Sequence, residues 1–410
     1  MSRESEADHP GEAVLPGALP EALRAELVAF RRDLHMHPEL GNQEFRTTAA
    51  IKARLEQAGL APRVLHTGTG LVCDIGLDGS APADGRPMLA LRADIDALPI
   101  PDTKADCAYR STVPDRAHAC GHDVHTTVVL GAGLVLAGLH REGRLPQPVR
   151  LIFQPAEEVL PGGALDAIES GALEGVGRII AVHCDPKVDA GRIGLRHGPI
   201  TSACDRLEVS LDGAGGHTAR PHLTTDLVTA VARVAVDVPA VVARRIDARS
   251  GLSVTWGRIE SGHACNVIPQ HAELSGTVRC LDLDAWRQAP DLLHAAIDEI
   301  ATLHRAKSEI NYVRGVPPVV NDPVVADLLR DAMTTRLGPH SVEDTTQSLG
   351  GEDFSWYLEQ VPGAMARLGV RTPGERGGRD LHQGDFDADE TAIKVGVELF
   401  TAAALLDALA

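Results

Sequence analysis

A chain of 410 residues is longer than one ordinary domain and suits two. Its 44% apolar content supplies a sizeable core, and with aromatics at 3% that core is built from Ala, Val, Leu and Ile. A formal net charge of −18 argues against a nucleic acid or an anionic membrane surface as partner.

Residues 1–20 are polar and acidic, with no basic start and no apolar block, and read as a flexible tail without a secretory signal. Helical patterns follow near 21–34 and 44–58, the second stopped by Gly59. Short apolar runs at Leu71–Gly76, Met88–Ala93, Val149–Phe153 and Ile179–Val182 alternate with helical stretches at His125–His140 and near 163–170. That alternation predicts an α/β layered sheet. The longest apolar run, Thr126–Leu139, is too short to span a bilayer and is broken by Gly131 and Gly133, so the chain is expected to be soluble and cytoplasmic. Seven scattered cysteines, an odd number, do not suggest a disulfide framework.

The pattern changes near residue 200. Strand-like stretches at Arg206–Leu211, Gly251–Ile259, Ala272–Cys280 and Glu309–Val313 are interleaved with helical ones at Thr225–Arg245 and Asp291–Ala306. The order βαββαβ is a ferredoxin-like, split-βαβ plan, an α+β unit complete in itself. We therefore expect residues 201–314 to form an inserted domain. Residues 21–200 and 315–410, where α/β patterning resumes, would form the first.

Histidines and acids gather after the apolar runs of the first domain: Asp94 and Asp96, Glu157 and Glu158, and His183. Sites in open α/β sheets lie at the carboxyl ends of strands. Within His118–Asp123, Cys120 and His122 bracket Gly121, and a glycine turn lets a thiolate and an imidazole converge on one ion of the zinc type. An isolated Cys-Gly-His is as often a buried thiol beside a surface imidazole; the neighbouring acids favour the metal. Adjacent side chains on an extended chain point apart, so Glu157 and Glu158 should do different jobs, one binding metal and one moving a proton. Alone, two neighbouring glutamates are more often a solvated loop, and His382 in Leu381–Gly384 a plain loop histidine. Gly215-Gly216-His217 and Cys265-Asn266-Val267-Ile268-Pro269 read first as turns, whose His and Asn could also donate to an anion.

Several stretches together resemble the aminoacylase/carboxypeptidase-G-type metallopeptidases, in their amidohydrolase branch. They are Asp33–Leu40, Leu91–Pro99, His118–Asp123, Phe153–Glu158, Gly216–Pro221, Asn266–Pro269, Gly276–Arg279 and Gly351–Phe354, in order along nearly the whole chain. The resemblance implies a zinc-peptidase-like catalytic domain with an inserted lid that often dimerises. It implies two divalent ions per subunit, Zn or Mn with Co or Ni as alternatives, held by Cys120, His122, Glu158, His183 and His382, with Cys120 bridging. It implies Glu157 as the base that takes a proton from the attacking water and returns it to the leaving amine, and Asp96 as an acid beside the metal centre. His217, Asn266 and Arg279 would be the lid's contacts to the substrate, His217 commonly reaching a partner subunit's site. The expected substrate is a small N-acyl amino acid, cleaved to a carboxylic acid and a free amino acid. One departure concerns the pocket mouth: Val159-Leu160-Pro161 intervene before Gly162-Gly163, where such chains usually carry the glycines at once. The rival readings are a dipeptidase or carboxypeptidase on the same residues, a non-catalytic metal-binding or interaction protein, and a metal-free hydrolase with Cys120 as nucleophile.

Overall fold

The computed structural model describes residues 17–77, 87–375 and 379–407. Most of the expected tail, through residue 16, lies outside them. The fold is α/β, built on two separate sheets of eight and four strands.

The larger sheet runs, edge to edge, Arg63–Val64, Leu71–Ile75, Val149–Gln154, Met88–Asp94, Val176–Asp189, Gly363–Arg371, Ile193–Leu195 and Val342–Asp344. Its four central strands are mutually parallel. They are buried on both faces, which is why they read as unbroken apolar runs rather than alternating ones. The chain leaves the Met88 strand, crosses through helix His122–Arg141 to the Val149 strand on one side, then returns to the Val176 strand on the other. Such a reversal of direction opens a crevice at the strands' carboxyl ends.

Helix His122–Arg141 is longer than the apolar run that announced it, and it is long and apolar enough by composition to cross a membrane. In this fold 89% of its most apolar window is buried inside the protein, against helices Glu21–Met36 and Thr391–Leu406. It is a core helix.

The smaller sheet has strand order Ser253–Ser261, His271–Cys280, Ala203–Asp212, Lys307–Val316, antiparallel throughout. Numbered by their own sequence these strands run 2-3-1-4, the ferredoxin-like arrangement expected from βαββαβ. Helices Leu227–Arg245 and Leu283–Leu303 pack on it through a separate apolar core. The second helix begins eight residues earlier than its pattern suggested, because Asp282 caps it by accepting from the Ala285 amide. The chain enters and leaves this sheet side by side, with Val316 opposite Cys204. Buried Asp205 pins the junction by accepting from the Gly315 amide (2.7 Å), the Trp286 indole (2.7 Å) and the Tyr312 hydroxyl.

Candidate metal centre and active site

The crevice ends of the central strands deliver the side chains that matter. Asp94 closes the Met88 strand, and Gln154 closes the Val149 strand just before Glu157 and Glu158. His183 is a correction: it does not end its strand, which continues to Asp189. It stands two residues past Ala181, the partner of Arg92, so it reaches the level where its neighbour stops while its own strand overshoots.

Gly121 makes the turn that starts helix His122–Arg141. Its φ is 86°, and a Cβ there would meet Cys184 Sγ at 2.6 Å, so both backbone conformation and space require glycine. The turn swings Cys120 and His122 to one place. Cys120 Sγ lies 3.5 Å from His183 Nε2. Three ligand atoms of Cys120, His122 and His183 fall within 4.8 Å of one another, and so do those of Cys120, Glu158 and His382. The two trios share Cys120.

The hydrogen bonds leave the right atoms free. His122 Nδ1 donates towards Asp96, whose main-chain oxygen is at 3.0 Å and Oδ1 at 3.1 Å. His183 Nδ1 donates to the Cys184 carbonyl (2.8 Å). Each imidazole therefore turns its Nε2 lone pair inward. His122 Nε2 is buried with no hydrogen-bond partner. An orphaned lone pair of this kind, next to a thiol and further imidazoles, fits a soft-to-borderline divalent cation. His125 joins a third possible group with Asp94 and His122, but both its nitrogens are committed: Nδ1 to Asp94 (2.6 Å) and Nε2 to the Cys184 amide (2.8 Å).

Glu157 and Glu158 depart from the expected geometry. They lie in a turn rather than on extended chain, because Ala156 adopts a left-handed conformation with φ 54°. Both then face the same imidazole, with Glu157 Oε2 3.8 Å and Glu158 Oε1 3.9 Å from His122 Nε2. Their jobs divide by partners instead. Glu158 Oε1 meets His382 Nε2 at 3.2 Å, and its amide donates to Asp96 Oδ2 at 3.0 Å. Glu157 has no such engagement. Left-handed non-glycine residues cost about 1–3 kcal/mol each and persist only where surroundings hold them. Here the Ala156 amide donates to buried Glu44 (2.8 Å), and His382, also left-handed at φ 62°, is tied by its amide to the Ala119 carbonyl (2.8 Å).

The electrostatics agree with a cation site. Burial, reinforced by Glu352, Glu158, Asp353 and Asp94, holds the Glu157 carboxyl well above the usual carboxylate range. Burial would depress His122, but Asp94, Asp96 and Glu158 outweigh it and raise the imidazole to about 10. Burial, with Glu158, Glu157 and Asp94, pushes the Cys120 thiol well up. A cysteine nucleophile needs an electropositive setting that stabilises its thiolate. Acids surround this one, which counts against the metal-free reading.

Three groups of residues had no assigned role in the sequence. Arg92, buried, pairs with Asp94 and Asp353 at 2.8 Å and Glu352 at 3.2 Å, and its Nε reaches Gln154 at 2.9 Å. Behind the helix start, Asp123 accepts from Arg31 (2.7 Å) and His35 (2.7 Å), and Lys104 reaches His35 (2.9 Å). Arg367 lies in the middle of the buried Gly363 strand. Charged residues inside otherwise apolar strands were the available signal for Arg92 and Arg367.

The site opens into a cavity of about 300 Å³ lined by Cys120, Glu157, Glu158, His183, Glu352, Arg367 and His382, with Leu160, Cys204 and Val316 as an apolar wall. Leu160 belongs to the unusual insertion, and Gly162 after it packs against Asp353, where a Cβ would stand 2.2 Å from a carboxylate oxygen. A larger cleft of about 660 Å³ beside helix Glu21–Met36 contains none of the ligand trios; chemistry, not volume, locates the site.

The three expected substrate contacts, His217, Asn266 and Arg279, are not brought to this cavity. His217 and Asn266 are exposed, His217 on a two-stranded ribbon pairing Gly216–His217 with Val267–Ile268 and Asn266 directly before it. His217 Nδ1 accepts from the Ala219 amide (3.0 Å), so Nε2 carries the proton as a free donor. Half-buried Arg279 donates to the Leu349 carbonyl at the junction of the two sheets.

Residues 90–406 match the model of peptidase family M20/M25/M40. The chain belongs to that family. It is 37% identical over 371 residues to N-acetyl-L-cysteine deacetylase of Bacillus subtilis, covering 90% of this chain and 85% of that one. It is 46% identical over 384 residues to a Rhodococcus jostii protein named putative glutamate–cysteine ligase 2-3, covering 93% of this chain but 47% of that longer one. The solved Bacillus subtilis YXEP protein, described as a dinuclear metal-binding peptidase of the M20 family, superposes with a TM-score of 0.81 at 32% identity, over 95% of this chain and 99% of that one. This member of the family is a metal-dependent hydrolase of amide bonds.

Proposed function

We propose that the protein cleaves the amide bond of small N-acyl amino acids, using two divalent ions. The observation that supports this best is the pair of ligand trios sharing Cys120, with uncommitted Glu157 beside them. In this reading Cys120, His122, Glu158, His183 and His382 would hold the ions; Zn or Mn suits a thiolate–imidazole–carboxylate set. When bound, the ions supply an acidified water and a polarised carbonyl. Glu157 takes the water's proton and delivers it to the departing amine, a task suited to a carboxyl held above its usual range. Asp96 orients His122 and the Glu158 backbone.

We read residues 21–200 and 315–410 as the catalytic domain and 201–314 as a lid. His217 and Asn266 stand outside the cavity, so they act only after closure or from a second copy of the chain. Val236 and Ile259, 66% and 51% exposed on the lid's outer helix and edge strand, suit a homodimer through the lid.

The test is hydrolysis across a panel of N-acetyl, N-benzoyl and indole-acetyl amino acids beside free-amine dipeptides, with metal content measured on the same sample. Turnover of the acyl substrates supports the proposal. Turnover of dipeptides alone transfers it to the peptidase reading, which a 32% identical relative named thermostable carboxypeptidase 2 from Saccharolobus solfataricus also favours.

A further inference from the structure

We infer that Arg367 is the anion anchor of the site and receives a carboxylate of the substrate; this rests on the amide-hydrolase reading above. Strand Gly363–Arg371 is buried at every position but its last. Its residues alternate: Ala364, Ala366, Leu368 and Val370 enter one apolar core, and Met365 enters the other. Arg367 shares Met365's face. Its cross-strand partner is His183, and directly paired residues point to the same side of a sheet. Both accordingly line the cavity.

The arginine is buried and unspent. Its relative exposure is 6%, and Nη2 has no hydrogen-bond partner. The other buried arginines among the described residues are all paired: Arg31 with Asp123, Arg92 with Asp94 and Asp353, Arg150 with Asp74. Asp185, the acid that acts most on Arg367, forms no ion pair with it and accepts from the Lys187 amide (2.8 Å), and Glu352 is engaged with Arg92 (3.2 Å). A guanidinium cannot shed its charge in a protein, and leaving one buried without an anion is costly. Its planar fork of donors matches a carboxylate in two parallel hydrogen bonds. The cavity offers what such a ligand needs: the arginine at one point, the metal-ligand trios at another, and Leu160 and Val316 as an apolar wall for a side chain or acyl group.

Two carboxylates have the right chemistry: the α-carboxylate of the amino-acid half, and a distal carboxylate on the acyl half. The experiment compares metal-loaded wild type, Arg367→Met and Arg367→Lys on N-acetyl-leucine, N-acetyl-leucinamide and N-succinyl-leucinamide. The expected result is a KM at least about tenfold higher in Arg367→Met for the carboxylate-bearing substrate, little change for N-acetyl-leucinamide, and partial rescue by Arg367→Lys. Loss on N-acetyl-leucine assigns the α-carboxylate; loss on N-succinyl-leucinamide assigns the acyl side. Thermal shift by the same three compounds reads binding without turnover: the carboxylate-dependent shift should vanish in Arg367→Met. If wild type hydrolyses none of them, the function proposed above is what fails, and the thermal shifts still decide the anchor. Equal losses on charged and neutral substrates, or reduced metal content, would overturn the inference and make Arg367 a counter-charge to Cys120. Should Arg367→Met not fold, a wild type that binds carboxylate and amide alike overturns it equally.

Discussion

Cys120, His122 and His183 are 5%, 1% and 8% exposed, and hydrogen bonds fix which atom each imidazole offers. His217 and Asn266, by contrast, are exposed on and beside a separate two-stranded ribbon, outside the cavity. The same contrast runs through the ion pairs. Arg92 pairs with three carboxylates while fully buried, whereas Arg258 pairs with Glu260 and Glu273 on an open sheet face. One region is built to hold charge in place without water. The other leaves its donors exposed. The lesson is that buried groups can be pre-organised by one another's hydrogen bonds, whereas His217 and Asn266 could serve the cavity only after closure or from a second copy of the chain.

The sharpest break of that comparison is metal removal. Prolonged chelation should abolish hydrolysis, and added Zn, Mn or Co should restore it. It should also lower the melting temperature, since an ion bound by the native state stabilises that state by mass action. Full activity in a sample verified free of metal would sink the two-ion reading. Next come the paired glutamates. Glu157→Gln should retain metal and lose kcat by at least about 100-fold. Glu158→Gln should lose metal occupancy first; the reverse outcome would exchange their roles.

On the presented side, His217→Ala should lower kcat by about 100-fold, as loss of one oxyanion donor does, with metal content unchanged. Mixing it with Glu157→Gln protein should regain activity if each site takes its histidine from the other copy. A verified hybrid that stays inactive would mean His217 serves its own chain. An active His217→Ala variant would reduce the ribbon to a structural turn.

Two smaller effects test the held side for stability. Arg92→Met leaves buried carboxylates unpaired and should cost roughly 3–5 kcal/mol by denaturant midpoint, while Arg258→Ala should produce no measurable change. Burial raises the Glu44 carboxyl from 4.5 to about 7. The folded protein then holds that proton more tightly than the unfolded chain, so stability should fall as pH rises from about 4.5 to about 7. Glu44→Gln should flatten this slope, a change of at most about 3 kcal/mol across the window. An unchanged slope would mean that Glu44 is ionised throughout.

Legibility followed the physics of each segment. The central strands could be read because burial on both faces leaves an apolar run, and the smaller sheet because its strands and helices alternate in a simple order. Helix starts were harder, as with Leu283–Leu303, where an Asp cap well upstream of the apolar pattern set the start. Within the candidate site, Cys120, Gly121 and His122 were legible because three consecutive residues carry the turn and two candidate ligands. The resemblance, rather than any local pattern, singled out His382: a histidine in a polar loop has no signature until the loop is seen tied to Ala119.

By itself, then, the sequence determined the two-sheet architecture and the residue types of the candidate metal site, because periodicity and short motifs are local properties. Three matters needed the tertiary structure. Ala156's turn brings Glu157 and Glu158 to one imidazole, where an extended chain would have sent them apart. The overshooting Val176 strand sets His183 in register with Arg367. Of the carboxylates paired with Arg92 only Asp94 is near in sequence; Glu352 and Asp353 come from a distant segment, and only the packed sheet decides which buried charges meet and leaves Arg367 Nη2 without a partner.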